Sequence, residues 1–262
     1  MSFDIKKNLI DLKDEGITFF RSKINNEVIN SLLPEVEKSF KCHYRIQLDN
    51  QIENPTNSIA LNCLGDSLIY LELVQKLTLD KQVSNLLKKF LGEDYIINSF
   101  SALNTVKDKP NFSVNIHRDI KNFSGNFNMM INLLVMLDNF TLDVGPTKLL
   151  PRSHKLKRKP TTDFFLNNSI SALGEAGDIL VFNSNIWHAS SLNFSNKPRR
   201  AIAITFSKPF VKQLVDYTKL LTVYENRFDE HMRQILGYNN RIAESLEQWY
   251  VPEKDRMYKK LY

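Results

Sequence analysis

The sequence predicts a mainly β protein with helices at both ends, and three observations carry that prediction. Apolar residues recur at helical spacing up to about residue 94 and again after Pro209. Between these parts, short runs alternate apolar and polar or are wholly apolar, and Asn, Asp, Gly, Pro and Ser separate them. No helical period intervenes between those runs, which argues for a sandwich or barrel and against a parallel βαβ sheet.

In chain order, residues 3–15 read as a short helix stopped by Gly16, and Ile17–Phe20 as a strand. Asn25 or Asn26 can cap a helix running to about Phe40, because its side-chain oxygen can accept an orphan N–H; Pro34 would bend that helix. Residues 66–91 hold one or two more helices, with Leu68, Leu71, Val74 and Leu77 and then Val83, Leu86, Leu87 and Phe90 at helical spacing, closed by Gly92. Strands are expected at 95–107, 127–137, 147–150, 178–187 and 200–207, and helices return with Leu214, Val215, Phe228, Met232 and Ile235. One domain over 1–262 is expected, its β core at about 95–210 between helical parts 1–94 and 211–262.

The 262 residues are 42% hydrophobic and 24% charged, which excludes a disordered or fibrous chain. The apolar run 131–137 is far too short to span a membrane, and the charged N-terminus has no apolar signal-peptide core. Cys42 and Cys63 cannot supply a disulfide framework; they read as small core residues of a cytoplasmic protein. The net charge is +6, and Lys148, Arg152, Lys155, Lys157, Arg158 and Lys159 crowd together around His154. That cluster is either a solvated loop or an electrostatic collar for an anionic small-molecule substrate. Nucleic acid is not expected there, because no aromatic residue in 148–159 offers a stacking platform.

The chemistry lies in His117-Arg118-Asp119. In extended backbone, residues two apart share a face, so His117 and Asp119 can converge on one point. His188, ending the apolar run that follows Gly177-Asp178, supplies a third donor. Two imidazoles and one carboxylate on one face of a metal, with three positions open, form the facial triad of non-haem Fe(II) oxygenases. Arg199, eleven residues further on, can grip a carboxylate with its planar fork, whereas Arg200 faces the other way and reads as a surface residue.

The segments NIHRDI, LLVMLDNFTLDVGPTKLLPRSHK, GEAGDILVFNSNIWHAS and NFSNKPRRAIAITF resemble the phytanoyl-CoA dioxygenase family, as do the N-terminal LKDEGITFFRSKINNEVINSL and FLGEDYII. The resemblance implies a double-stranded β-helix (jelly-roll, cupin-like) core and an oxygenase using Fe(II), 2-oxoglutarate and O₂. It makes His117, Asp119 and His188 the iron ligands and gives Arg199 the far carboxylate of 2-oxoglutarate, with Ser190 helping to hold it. Asn132 falls on a strand whose inward side chains line the cosubstrate pocket. Two departures stand outside the metal set: the family's Pro-Gly-Ser-His turn is Pro151-Arg152-Ser153-His154 here, and its Asn-Gly is Val144-Gly145.

The expected reaction is hydroxylation of an aliphatic C–H in a small, anionic metabolite, with release of succinate and CO₂. Family halogenases lack the carboxylate ligand, and Asp119 supplies one here. Desaturation, epimerisation or cyclisation at the same iron is the alternative, and a non-catalytic β-sandwich binding protein is the alternative of another class. The 117–121 stretch also looks like a kinase catalytic loop. Ser124, however, stands where that loop needs Asn, and only Gly16, Gly65 and Gly92 precede it, so no phosphate-covering loop exists.

Overall fold

Middle strands buried on both faces set the architecture. The computed structural model describes residues 5–107, 114–252 and 254. Six strands, β1 (Ile17–Phe20), β2 (Ile59–Ala60), β3 (Ile96–Thr105), β4 (Met130–Met136), β7 (Ile179–Asn183) and β9 (Arg199–Ser207), form an antiparallel sheet ordered β1-β7-β4-β9-β3-β2. A second antiparallel sheet is ordered β6-β5-β8, from β5 (Thr147–Leu149), β6 (Ile170–Ser171) and β8 (His188–Ser190).

The large sheet has two apolar faces. Ile131, Leu133 and Val135 of β4, with Ile202, Ile204 and Phe206 of β9, pack against the N-terminal helices α1 (Ile5–Asp14), α2 (Asn26–Asp49), α3 (Leu68–Leu79) and α4 (Lys81–Leu91). Each such buried side chain contributes about 1.5–3 kcal/mol by leaving water. Leu134, Met136, Leu180, Phe182 and Ala201 face the other way and join Leu149 of the second sheet in a separate core. Helix α5 (Thr162–Asn168) precedes β6, and the C-terminal part holds α6 (Tyr217–Leu220), α7 (Glu230–Leu236) and α8 (Leu246–Trp249).

The early elements follow the sequence closely; the start of the 3–15 helix lies outside the described residues. Asn25 caps α2 through Val28 N (3.1 Å), and Asp80 separates α3 from α4 by accepting from Gln82 N and Val83 N. Helix α2 runs nine residues past Phe40, to Asp49. Its apolar stripe ends at Phe40, while the solvated last turns are held by pairs such as Arg45–Asp49 (3.0 Å), so the period marked the end of burial and not of the helix. The C-terminal helices are only four, seven and four residues long, with 3₁₀ turns between them. Strands β2 and β6 are two residues each and too short to leave a periodic signal. Cys63 is buried as expected, but Cys42 is exposed on the solvated end of α2. No helix among the described residues is long and apolar enough to cross a membrane.

Gly177 ties the two ends of this arrangement. Its carbonyl accepts from Lys23 N and Ile24 N (3.0 Å each), and its N–H donates to Met136 O (2.8 Å). With φ at +95°, a Cβ here would sit 2.2 Å from Ile24 O. Gly177→Ala should therefore cost more than about 1 kcal/mol, seen as a fall in thermal midpoint of at least about 2–4 °C. A midpoint equal to that of the unmodified protein would show that β1 and β7 tolerate another connection.

Candidate active site

Three stretches of chain converge between the two sheets. His117 N donates to His188 O (3.0 Å) and His188 N donates to His117 O (2.9 Å), a reciprocal backbone pair that sets the imidazoles side by side with centroids 4.2 Å apart. His188 opens β8; it does not end the preceding strand as the apolar run suggested. Strand β7 stops at Asn183, whose carbonyl and side-chain oxygen accept from Ile186 N and Asn185 N, and that turn carries the chain across to the second sheet. Ser153 Oγ accepts from Trp187 N (2.9 Å), so the Pro-Arg-Ser-His turn braces the approach to His188.

Each of the two imidazoles has its Nδ1 against a carbonyl: Asn115 O at 2.7 Å for His117 and Ile186 O at 3.1 Å for His188. A carbonyl only accepts, so Nδ1 carries the hydrogen and Nε2 is left as a lone-pair donor. Both Nε2 atoms face Asp119 Oδ1, at 3.6 and 3.7 Å, too far for hydrogen bonds. One donor atom from each of the three residues lies within 4.8 Å of the others. Burial holds the His188 imidazole below its ordinary pKa, which keeps it neutral as a ligand must be. Two imidazole nitrogens and one carboxylate oxygen fit Fe(II).

Arg199 is 2% exposed on β9 and lies in register with Thr105 of β3. Its Nη2 donates to Thr105 Oγ1 and, at 3.4 Å, to Ser190 Oγ, and the guanidinium stacks 4.8 Å from the Phe140 ring centroid. Burial pulls its pKa down to about 10. Among the described residues it forms no ion pair, and its Nε is buried without a partner. An uncompensated buried charge is costly, so this cradle fits an incoming carboxylate. The metal-ligand candidates, Arg199, Ser190, Asn132 and Thr105 line one cavity of about 300 Å³. A larger groove of about 1050 Å³ runs along the C-terminal segment and contains none of these residues.

The structure brings together all six residues singled out in the sequence around one cavity. Asn132 lines the cavity, but both its amide hydrogens are committed to protein, to Asp119 Oδ2 (2.8 Å) and Ser184 Oγ (3.0 Å), leaving none for a cosubstrate. Thr105 was missed, because only the β3–β9 register puts it opposite Arg199. Arg200 is not an idle surface residue: it pairs with Asp138 (2.8 Å) and Glu37 (3.2 Å), and its Nε and N–H also donate to Asp138 Oδ2. The basic cluster does not ring the cavity. Arg152 pairs with Glu15 (2.7 Å), Lys155 donates to Asp14 O (3.1 Å), and no residue of 148–159 lines the cavity. Arg152 has φ at +65°, the left-handed backbone that suits the glycine of the family turn, and the Glu15 pair holds it there.

Comparison with known proteins agrees with this geometry. The family model for phytanoyl-CoA dioxygenase matches residues 18–201. The chain belongs to the phytanoyl-CoA dioxygenase family. The uncharacterized protein Rv1501 of Mycobacterium tuberculosis is 31% identical over 196 residues, covering 73% of this chain and 70% of its own. Dioxygenase cdmD of Talaromyces verruculosus is 26% identical over 220 residues, covering 74% and 71%. Among solved structures, AviO1 from Streptomyces viridochromogenes Tue57 matches at TM-score 0.60 and 16% identity, over 80% of this chain and 97% of its own. The epimerase SnoN, solved with Fe3+, alpha ketoglutarate and nogalamycin RO, matches at TM-score 0.56 and 14% identity, over 78% and 84%. EvdMO1 matches at TM-score 0.59 and 18% identity, over 78% of this chain, which spans 50% of EvdMO1. At such identities these structures share the family's fold of antiparallel sheets and helices and say nothing more of this chain.

The two adjacent arginines separate binding from stability. A charge-assisted fork is worth roughly 1.5–3 kcal/mol, so Arg199→Ala should weaken 2-oxoglutarate binding by about one to two powers of ten. Arg200→Ala should leave that affinity alone and lower stability by about 1–2 kcal/mol, because it strands Asp138 in a partly exposed pair. Calorimetric titration and thermal unfolding of both variants measure this, and exchanged effects would mean a β9 register wrong by one residue.

Proposed function

We propose that the protein is an Fe(II)- and 2-oxoglutarate-dependent dioxygenase that hydroxylates an aliphatic C–H of a small molecule. The observation that carries this reading is the juxtaposition, in one cavity, of a His-Asp-His donor cluster and a buried arginine that forms no ion pair among the described residues. Family membership and the dioxygenase-named relative support it. The two sheets, with the cavity between them, support a double-stranded β-helix core, and residues 1–262 are read as one oxygenase domain.

Fe(II) and 2-oxoglutarate, when bound, supply the oxidation with O₂, the keto acid ending as succinate and CO₂. His117, Asp119 and His188 would hold the metal. Arg199, Thr105 and Ser190 would hold the far carboxylate of the cosubstrate in the same cavity. Phe182 stands edge-on to the His188 ring at 5.0 Å and keeps water from that ligand. This division of labour needs no paired general acid and base in the protein.

The walls bear on the substrate. Ile59, Leu61, Leu103, Met130, Leu134 and Leu214 line the cavity, and among the described residues Arg199 is its only lysine or arginine. With that cation taken by the cosubstrate, the compartment suits an uncharged apolar group. The anionic character expected from the basic cluster loses its support, since none of its residues lines the cavity and Arg152 and Lys155 bond to Glu15 and Asp14 instead.

Anaerobic titration with Fe(II) and then 2-oxoglutarate should produce a visible charge-transfer band, and its absence in the unmodified protein would overturn the reading. His117→Ala and His188→Ala should each lose Fe(II) retention and succinate formation while staying folded; full turnover by either would remove the metal assignment. Candidate metabolites should then gain one oxygen atom, whereas loss of two hydrogens or unchanged mass would point to desaturation or epimerisation.

A further inference from the structure

The two oxygens of Asp119 have different surroundings. Oδ1 faces Nε2 of both histidines, while Oδ2 accepts a hydrogen bond from Asn132 Nδ2 at 2.8 Å. The second hydrogen of that amide goes to Ser184 Oγ (3.0 Å), and Thr205 Oγ1 donates to Asn132 Oδ1 (2.7 Å). We propose that Asn132, oriented by Thr205 and Ser184, is a positioning residue that fixes Asp119 as a one-oxygen ligand. The inference rests on the reading of His117, Asp119 and His188 as iron ligands.

The relay is rigid where the ligand is not. Asn132 is 5% exposed on β4, between β7 and β9, in register with Phe182 on one side and Thr205 on the other. Asp119 lies outside any strand, with a third of its side chain exposed, so its carboxylate needs an external hold against rotation. Turning the Asn132 amide end for end would set its carbonyl oxygen against the carboxylate, whereas the Ser184 and Thr205 hydroxyls can donate or accept. The carboxylate contact therefore selects the amide orientation, and the two hydroxyls hold it in place.

A carboxylate free to rotate can bind a metal through both oxygens and take a fourth position. The facial triad works by leaving three open, two for the cosubstrate and one for O₂. Occupying Oδ2 with an N–H keeps that fourth position free. A neutral amide suits the task, because a lysine or arginine in its place would repel the cation and drain charge from the ligand oxygen. This accounts for an asparagine whose place on the cavity wall suggested cosubstrate binding but whose hydrogens all point to protein.

The test compares Asn132→Leu and Thr205→Val with the unmodified protein. Fe(II) affinity is measured by chelator competition, 2-oxoglutarate affinity at saturating Fe(II), the charge-transfer band by absorbance and folding by circular dichroism. Loss of an orienting hydrogen bond behind a metal ligand typically costs 10–100-fold in metal affinity, so Asn132→Leu should raise the Fe(II) dissociation constant about 10–100-fold and shift or broaden the band. Thr205→Val should do the same more weakly, because its hydroxyl reaches Asp119 only through the amide. Unchanged Fe(II) affinity and an unchanged band in a folded Asn132→Leu would overturn the proposal, as would a loss of 2-oxoglutarate affinity alone. Should Asn132→Leu fail to fold, Thr205→Val decides by the same criteria. If the unmodified protein bound no Fe(II), the iron reading itself would fall, an outcome distinct from normal iron binding in the variants.

Discussion

The reciprocal backbone pair between His117 and His188 is the constraint on which the site depends. It joins an irregular stretch, which no regular strand holds, to the first residue of β8 in the second sheet. Without it the three donors would be carried by segments some seventy residues apart in sequence. With it, both imidazoles present Nε2 in one direction, and each Nδ1–H is committed to a carbonyl within two residues of its own ring. The arrangement buries the His188 imidazole, and that burial lowers its pKa, the direction that favours the neutral ring.

The large sheet separates function from stability by strand period alone. Along β9, Arg199, Ala201, Ala203 and Thr205 face the cavity side, whereas Ile202, Ile204 and Phe206 pack on the helices. Adjacent arginines thus meet opposite fates. Arg199 is buried with no ion pair among the described residues and its Nε unpartnered, while Arg200 closes a network with Asp138 and Glu37 of α2. A slip of one residue would exchange these roles and turn the whole apolar set to the wrong face.

The cavity then explains how one wall can serve two ligands. Its deep end is polar, built from Arg199, Thr105 and Ser190, and suits a carboxylate. The remaining wall mixes aliphatic side chains, among them Ile59, Leu61, Leu103, Leu134 and Leu214, with polar ones such as Asn98, Ser99 and Ser101, and burial of a C–H-bearing group against the aliphatic part is favourable. The basic segment 148–159 belongs to neither end. It is joined to α1 through Arg152 and Lys155, and to the His117–Asp119 turn through Arg118, whose guanidinium lies 4.1 Å over Trp187 and donates to Lys157 O. None of its residues lines the cavity.

The sequence by itself determined the early helix caps, the alternation of the central strands and the donor types at His117, Asp119, His188 and Arg199. Each of these is a local property: a cap needs one side-chain oxygen, a strand face needs period two, and ligand chemistry is a matter of residue type. Tertiary structure decided the rest. The end of α2, the shortness of the C-terminal helices and the break between β7 and β8 depend on packing that leaves no period in the chain. Thr105 came opposite Arg199 only through the register of β3 with β9, and Asn132 met Asp119 only because β4 sets it beside that carboxylate. The placement of the basic cluster followed the same rule: charge is written in the sequence, but the residues it faces are chosen by elements more than a hundred positions away, such as Glu15 for Arg152.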